Sequence, residues 1–246
     1  PAESAVFESV RAAGGCYSVR KEETMTFGLI RSYRDFCVQL RAAGFSMAGE
    51  SGDGIFALGA HFAENIRWHT GDSETDPWVF RMRVLKEESG IGYGKFFLCK
   101  GGYMTREWAP CFLALKREGR TYEDMYRAGC MSYLEHAVCR LVAEKGEAAF
   151  HEIKSQVGGK GLEAALARLQ TGMFLTISGQ TFRLSKDNSP YGWPVTTFQL
   201  AEDFWGREAA EKAWAMAPGE ARERITQRIY ELNPKAEIKS VERFLR

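Results

Sequence analysis

The segment FHEIKSQVGGKGLEAALARLQTGMFLTISGQTFRL, residues 150–184, carries the pattern that decides the fold. Phe150, Ile153 and Val157 recur at helical spacing and predict a short helix. Two glycines follow, and glycine readily adopts the backbone angles that end a helix. Residues 162–169 then predict a second helix, because leucines and alanines fall on one of its faces.

Beyond these helices the apolar pattern changes to the alternation of a strand. Residues 173–178 predict a strand, Gly179 and Gln180 a tight turn, and residues 181–184 a returning strand. The long segment 122–145 has apolar residues at helical spacing and predicts the helix that precedes this unit. Helices followed by a hairpin are typical of a winged-helix unit, in which one helix usually lies in the major groove of DNA.

The whole chain is predicted to be mainly α with small β-hairpins, an α+β fold with winged-helix architecture. At least one winged-helix unit is expected, and a tandem arrangement stays open. We expect residues 1–120 to form a helical or mixed region, residues 121–202 the winged-helix unit, and residues 203–246 a C-terminal helical segment. A chain of 246 residues is long enough for one large domain or two modest ones.

The predicted winged-helix unit is locally basic, although the whole chain has a net charge of only +1. Its cationic residues are Lys154, Lys160, Arg168, Arg183 and Lys186. Such groups neutralise DNA phosphates, which makes them candidate nucleic-acid-binding residues. Winged helices also serve as protein–protein modules, so a structural or partner-binding role is the alternative.

The composition favours a folded, cytoplasmic protein. Apolar residues make up 45% of the chain, which is enough for a core, yet no apolar run is long enough to cross a membrane. No signal peptide is recognisable, and no membrane association is expected. The six cysteines show neither a Cys-x-x-Cys pair nor zinc-finger spacing, which favours core residues in a reducing compartment over a zinc site or a disulfide.

Residues 66–83, IRWHTGDSETDPWVFRMR, are dense in groups with catalytic or recognition uses. His69 exchanges protons near neutral pH, and Glu74 and Asp76 are carboxylates that can orient water or stabilise positive charge. The tryptophan rings offer flat faces for stacking on a base, and the guanidinium groups can hold phosphate. These candidate nucleic-acid-binding residues are Trp68, Trp78, Arg67, Arg81 and Arg83.

The same motif has a structural alternative. Asp76 precedes Pro77, and proline favours the first turn of a helix, so Asp76 is expected to cap a helix over residues 78–89. His69 has the corresponding alternative of a hydrogen-bonded structural histidine. The chain shows no convincing metal-ligand spacing and no glycine-rich phosphate loop after a strand, so no metal or cofactor is expected.

Four short motifs point to a known bacterial family. They are Trp68-His-Thr-Gly71, Glu74-Thr-Asp-Pro-Trp78, Tyr93-Gly-Lys-Phe96 and Glu107-Trp108. On these motifs the chain resembles the AlkZ-related proteins, which are relatives of the AlkZ-type DNA glycosylases. The resemblance runs over most of residues 30–246.

The resemblance implies winged helices arranged around DNA and metal-free hydrolysis of the N-glycosidic bond of alkylated bases. The catalytic signature of the AlkZ-type enzymes is Gln, an aliphatic residue, then Gln or Asp. This chain has no two glutamines at that spacing, and its nearest analogue is Glu74-Thr75-Asp76, in which Asp76 matches the Asp variant. The resemblance thus implies a catalytic role for this segment and a DNA partner, double-stranded and in some cases damaged.

A damaged purine is already a good leaving group, so an enzyme needs to orient one water and stabilise the oxocarbenium-like sugar. Asp76 would supply negative charge, and Glu74 or His69 would position the water. Trp68 or Trp78 would stack on the exposed base. The resemblance therefore implies a DNA-binding protein with glycosylase-like activity; the alternative is a non-catalytic winged-helix DNA-binding or protein-interaction module.

Overall fold

The computed structural model describes residues 25–49 and 54–246, together with the backbone of two short strands near the start of the chain. The fold is α+β and rich in helix, as the sequence predicts. Its elements are β1 (Ser9–Ala12), β2 (Gly15–Ser18), α1 (Tyr33–Ala43), β3 (Phe45–Met47), a 3-10 turn (Leu58–His61), α2 (Pro77–Glu87), β4 (Ile91–Phe97), β5 (Lys100–Thr105), α3 (Ala109–Arg117), α4 (Tyr122–Arg127), α5 (Tyr133–Lys145), β6 (Ala148–Ala149), α6 (Phe150–Val157), α7 (Leu162–Thr171), β7 (Leu175–Leu184), β8 (Pro190–Leu200), α8 (Ala201–Trp205), α9 (Arg207–Ala215), α10 (Pro218–Leu232) and α11 (Ile238–Leu245). Among the helices described, none has both the length and the apolar character that a bilayer crossing requires.

The first three-stranded sheet is antiparallel, with β5 between β3 and β4. Sequence analysis did not predict these strands, because their glycines are typical of loops. Here the glycines make room for aromatic rings. A Cβ on Gly102 would lie 2.4 Å from the Phe97 ring, and a Cβ on Gly92 would lie 2.5 Å from the Trp205 ring. Only glycine lets the strands and these rings pack this closely.

The larger hydrophobic core joins this sheet to helices from both ends of the chain. The Phe97 and Phe244 rings stack with their centroids 4.8 Å apart, and Phe45 meets Phe112 edge to face at 5.2 Å. Phe244 belongs to the last helix, α11, so the C-terminal helices cover the sheet formed by residues 45–105. Such aromatic burial supplies much of the free energy of folding.

A second hydrophobic core lies between the second sheet and helices α5, α6 and α7. This sheet is also antiparallel, with β8 between β6 and β7. Val138, Ile153, Leu166 and Leu175 are almost completely buried in it. The helices predicted over 150–157 and 162–169 are confirmed as α6 and α7, because their apolar faces pack into this core.

The hairpin differs from its prediction. Gly179 and Gln180 do not form a turn but continue β7, which pairs with β8 along its length, with a register shift between Ile177 and Gly179. The turn lies instead at residues 185–189, where Asn188 adopts a positive φ of 62°. The glycine that indicated a turn marks a bulge, a second common role of glycine in strands.

The long helix predicted over 122–145 is two helices, α4 and α5. Ser132 begins the second one with a capping box: its hydroxyl accepts from the Glu135 N–H at 3.3 Å, and the Glu135 carboxylate accepts from the Ser132 N–H at 2.9 Å. The capping box explains the break, because it satisfies N–H groups that a continuous helix would have paired.

Helix α7 is held against the first sheet as well as the second core. The Gln170 side chain accepts from the Lys95 N–H at 2.9 Å, and the Thr171 hydroxyl donates to the Lys95 carbonyl at 2.7 Å. Gln170 is buried. The helix that a winged unit would place in the DNA groove is therefore covered on two sides, which leaves few of its residues exposed.

Candidate nucleic-acid interface

Asp76 caps the N-terminus of α2 and is fully buried. Its Oδ1 accepts from the N–H groups of Trp78 at 2.8 Å and His69 at 3.0 Å, and its Oδ2 accepts from the Gly71 N–H at 2.8 Å. Burial favours a higher pKa for this carboxyl, but the backbone donors outweigh burial and hold the pKa below its usual value. The predicted cap is confirmed: the carboxylate is ionised, and both of its oxygens are engaged.

Asp72 performs a similar task earlier in the same loop. Its Oδ1 accepts from the N–H groups of Glu74 at 2.7 Å and Thr75 at 3.0 Å. The Asp72 carbonyl in turn accepts from the Asp76 N–H at 3.0 Å. Asp72 and Asp76 thus give the loop a fixed shape, since short polar side chains can replace missing backbone partners in turns.

The Glu74 carboxylate points to Arg83. The two side chains form an ion pair at 2.6 Å, and Arg83 also pairs with Glu87 at 2.8 Å and donates to the Ser73 carbonyl at 2.7 Å. The Arg83 guanidinium lies 3.9 Å above the Tyr33 ring. Arg83 was predicted to contact nucleic acid, but its Nε and Nη1 groups donate to partners within the protein.

Trp68, His69, Trp78 and Arg81 form an exposed surface that we call the aromatic shelf. The His69 ring lies 4.8 Å from the Trp78 ring and 6.2 Å from the Trp68 ring. The Arg81 guanidinium stacks on Trp78 at 3.3 Å, in the geometry of a cation–π contact. Trp68 and Trp78 keep 42% and 49% of their surface exposed. The shelf offers flat faces to a ligand and a positive charge beside them.

The three predicted catalytic side chains do not meet. His69 and Asp76 are in contact, but through the backbone N–H of His69, whose ring lies with the tryptophans. The Glu74 carboxylate is turned to Arg83. The Arg67 side chain is exposed and donates weakly to the Glu64 carbonyl at 3.4 Å. Residues 66–83 thus provide an aromatic surface with a buried negative charge at Asp76, and no cluster of free carboxylates.

The basic residues of the second region differ in how free they are. Arg168 on α7 pairs with Glu135 at 2.6 Å. Lys154 on α6, Lys160 before α7 and Arg183 on β7 are exposed, and in the described part of the chain no ion pair engages them. Lys186, at the hairpin turn, is exposed and likewise has no ion pair among the described residues, so four of the five cations named from the sequence are available to an outside anion.

The hairpin tip, residues 182–193, carries apolar side chains that point to solvent. Trp193 is 90% exposed, and Phe182, Leu184 and Tyr191 are each about half exposed. The turn itself is ordered by Asp187, which accepts from the hydroxyls of Ser185 and Ser189. Sequence analysis missed these side chains. Residues 181–184 alternate polar with apolar side chains, the pattern of a half-buried strand, so only the lack of alternation in residues 191–195 could have indicated an exposed apolar surface.

No group of three or more His, Cys, Asp or Glu residues is arranged to hold a metal ion within residues 25–49 and 54–246. Of the cysteines predicted to be core residues, Cys37, Cys111 and Cys139 are buried, whereas Cys130 is exposed, as is Cys99. These five are free thiols. Cys130 lies in the break between α4 and α5. The sequence predicted a continuous helix here, and the break explains why Cys130 is exposed.

Comparison with known proteins gives one match. The model of the family described as AlkZ related matches residues 30–246 of this chain. No curated protein and no solved structure matches it. The family match covers all of the described helices and both three-stranded sheets, and so includes the aromatic shelf and the hairpin tip.

Proposed function

The chain belongs to the AlkZ-related family, and we propose that it binds double-stranded DNA through the hairpin tip and the exposed cations around it. The observation that carries this proposal is the 90% exposure of Trp193 at the end of an ordered hairpin. Trp193 shares the hairpin tip with Phe182, Leu184 and Tyr191, and exposed apolar side chains grouped in this way commonly mark a surface that a partner covers. Aromatic rings beside unpaired cations are typical of surfaces that bind nucleic acid.

We propose that α5, β6, α6, α7, β7 and β8 form a winged-helix unit, with β7 and β8 as its wing. The order helix, short strand, two helices and hairpin supports this assignment, as does their common core. Residues 121–202 remain our proposed boundary for the unit. Because α7 is packed against β4, the wing is better placed than this helix to approach DNA.

Charge supports the same surface. Arg183 and Lys186 flank the turn, Lys154 and Lys160 lie on α6 and before α7, and the described residues provide none of the four with an ion-pair partner. Cations of this kind neutralise phosphates and release counterions. We expect DNA binding that weakens steeply as salt rises, with the wing setting how the protein is oriented on the duplex.

Binding of a labelled duplex by the full chain, followed by fluorescence anisotropy, tests the proposal. Trp193→Ala should weaken binding by about tenfold or more, since covering one large apolar side chain at an interface contributes about 1.5–3 kcal/mol. The matched control is Trp214→Ala, which removes a tryptophan that is 54% exposed on α9. Absence of duplex binding by the wild type, or equal loss in both variants, would favour a protein-interaction module.

A second candidate function is hydrolysis of the N-glycosidic bond of an alkylated base. The observation that favours it is the ionised Asp76 close to the aromatic shelf, where a damaged base would stack on Trp68 or Trp78. Since both Asp76 oxygens accept backbone donors, its contribution would be electrostatic stabilisation of the sugar cation. His69 is the exposed group left to position a water, and Glu74 would first have to leave Arg83.

Release of free base from methylated duplex DNA tests this second function. Asp76→Asn keeps the size of the side chain and removes its charge, so excision should fall by orders of magnitude in protein that remains folded. His69→Gln should reduce excision less. If the wild type releases no base while binding the duplex, the non-catalytic function stands alone.

A further inference from the structure

A cleft of about 830 Å³ lies where the start of α3 meets α9 and α10, and it shares no residue with the shelf or the wing. Arg106 reaches it from the segment before α3, Arg207 from the first turn of α9, and Arg224 from α10. The volume is within the range of small-molecule pockets, roughly 300–1,000 Å³. Three separate elements thus bring guanidinium groups to one concave surface.

These three arginines have no close partner among the described residues, although Arg106, in addition to Lys212, contributes to lowering the pKa of Glu208. In the described part of the chain, none of them forms a side-chain hydrogen bond or an ion pair. Lys212, which also lines the cleft, pairs instead with Glu208 at 2.8 Å. Free guanidinium groups bind phosphate in a fixed fork geometry, whereas the paired lysine is already neutralised.

A buried donor supplies a second, independent observation. Trp205 lines the cleft and is only 1% exposed, and its indole N–H has no acceptor among the residues described. A buried polar group without a partner is costly, and in native proteins it commonly marks a site completed by a bound molecule. Helix α9 also begins at this cleft with Gly206, which provides no side-chain cap for the first N–H groups.

Three carboxylates line the same cleft: Glu208, which pairs with Lys212, and Glu107 and Glu220. They would repel a bare anion, so the lining fits a ligand that joins an anionic group to hydroxyl or amino donors. From this combination we infer that the cleft binds a phosphate ester of nucleotide size, with the phosphate on the arginines and the sugar or base donors on the glutamates. Its apolar part, which includes Pro110 and Met216, would cover the base.

Calorimetric titration of the full chain tests the inference with deoxyadenosine monophosphate, deoxyadenosine and inorganic phosphate as probes. The monophosphate should bind most tightly, because only it engages both the arginines and the glutamates. Arg224→Gln should weaken it by about tenfold or more, the usual effect of losing a hydrogen bond to a charged group. Arg140→Gln is the matched control, since Arg140 is exposed on α5 and pairs with Glu144. Arg207→Gln repeats the test on a second element.

A duplex DNA arm identifies the source of the phosphate. If Arg224→Gln weakens duplex binding while the free nucleotide does not bind, the cleft holds a phosphate of the DNA strand. If it weakens nucleotide binding alone, the ligand is a free nucleotide. No saturable binding of any probe, or equal affinity in Arg224→Gln and Arg140→Gln, overturns the inference. Because Trp193→Ala does not touch the cleft, loss of wing function and loss of cleft function are distinguishable.

Discussion

The loop of residues 67–76 and the wing hairpin use polar and aromatic residues in opposite ways. In the loop, the carboxylates of Asp72 and Asp76 accept five backbone hydrogen bonds. The negative charges of these two side chains are thus stabilised within the protein. At the hairpin tip, the hydrogen bonds of Asp187 order the turn, whereas the apolar side chains of Phe182, Leu184, Tyr191 and Trp193 are each 47% to 90% exposed. Residues 67–76 contain more of the residue types that are common in active sites than the hairpin tip does. Their contacts, however, are better explained by a role in folding.

The contacts of a side chain separate a structural role from a functional one. A buried carboxylate that meets several N–H groups has a sufficient structural reason to be there, because unsatisfied donors are costly. An exposed tryptophan on an ordered hairpin has none, because its exposure contributes nothing to the fold. The hydrogen-bond partners of a side chain are therefore more informative than its chemical type.

The largest expected effect is on stability, at Asp76. Asp76→Ala leaves the N–H groups of Trp78, His69 and Gly71 without their acceptor, which should lower the free energy of unfolding by about 2 to 4 kcal/mol. Urea unfolding followed by circular dichroism measures it. A loss below about 1 kcal/mol would mean that the loop can pair its donors elsewhere and that the cap is not what fixes its shape.

The pH dependence of stability is the next effect. The pKa of Asp76 is lowered in the folded protein, whereas an aspartate in an unfolded chain titrates near about 3.9. Its contribution is therefore complete above about pH 4 and is lost as the pH falls through the folded pKa.

Asp76→Asn removes this titration. It should be less stable than the wild type at pH 7, and the difference should shrink as the pH falls below about 4. Urea midpoints of the two proteins at pH 7 and pH 3 measure the change. A deficit that stays constant between these pH values would contradict the assignment.

Sequence patterns predicted those elements whose signal is local. Helices α6 and α7 follow from apolar spacing, and the start of α2 follows from Pro77 after a capping aspartate; these are found as predicted. The hairpin turn was misplaced, because Gly179 has the same signature in a bulge as in a turn. Strands β4 and β5 were missed, because their glycines are explained only by rings from distant parts of the chain.

In the candidate site, too, the sequence predicts only the contacts between residues that are close along the chain. The capping role of Asp76 could be predicted from its neighbours, whereas the direction of Glu74 could not, since its partner Arg83 lies on the next helix. The exposure of Trp193 depends on the position of the turn. A turn predicted a few residues too early therefore leaves the exposed side chains of the hairpin tip unpredicted.

A smaller effect is expected at the contact between Gln170 on α7 and Lys95 on β4. Gln170→Leu removes the acceptor of the Lys95 N–H and the donor to the Leu166 carbonyl, which should cost about 1 to 3 kcal/mol of stability. Gln156→Leu is the control, because Gln156 is an exposed glutamine on α6 and its replacement should stay within about 0.5 kcal/mol. Thermal unfolding of both variants measures the difference. Equal effects would show that α7 does not depend on this contact for its position.

The smallest effect is expected at Glu74, and it tests the comparison most sharply. The Glu74 side chain is 55% exposed, and Arg83 keeps its contacts with Glu87, the Ser73 carbonyl and the Tyr33 ring when Glu74 is neutralised. Exposed ion pairs contribute about 0–1 kcal/mol, so Glu74→Gln should change stability by less than Asp76→Asn at pH 7. Its affinity for duplex DNA should equal that of the wild type, measured by the same anisotropy titration. A clear loss of base release with unchanged stability would instead give Glu74 a catalytic role, and the loop would then serve both folding and chemistry.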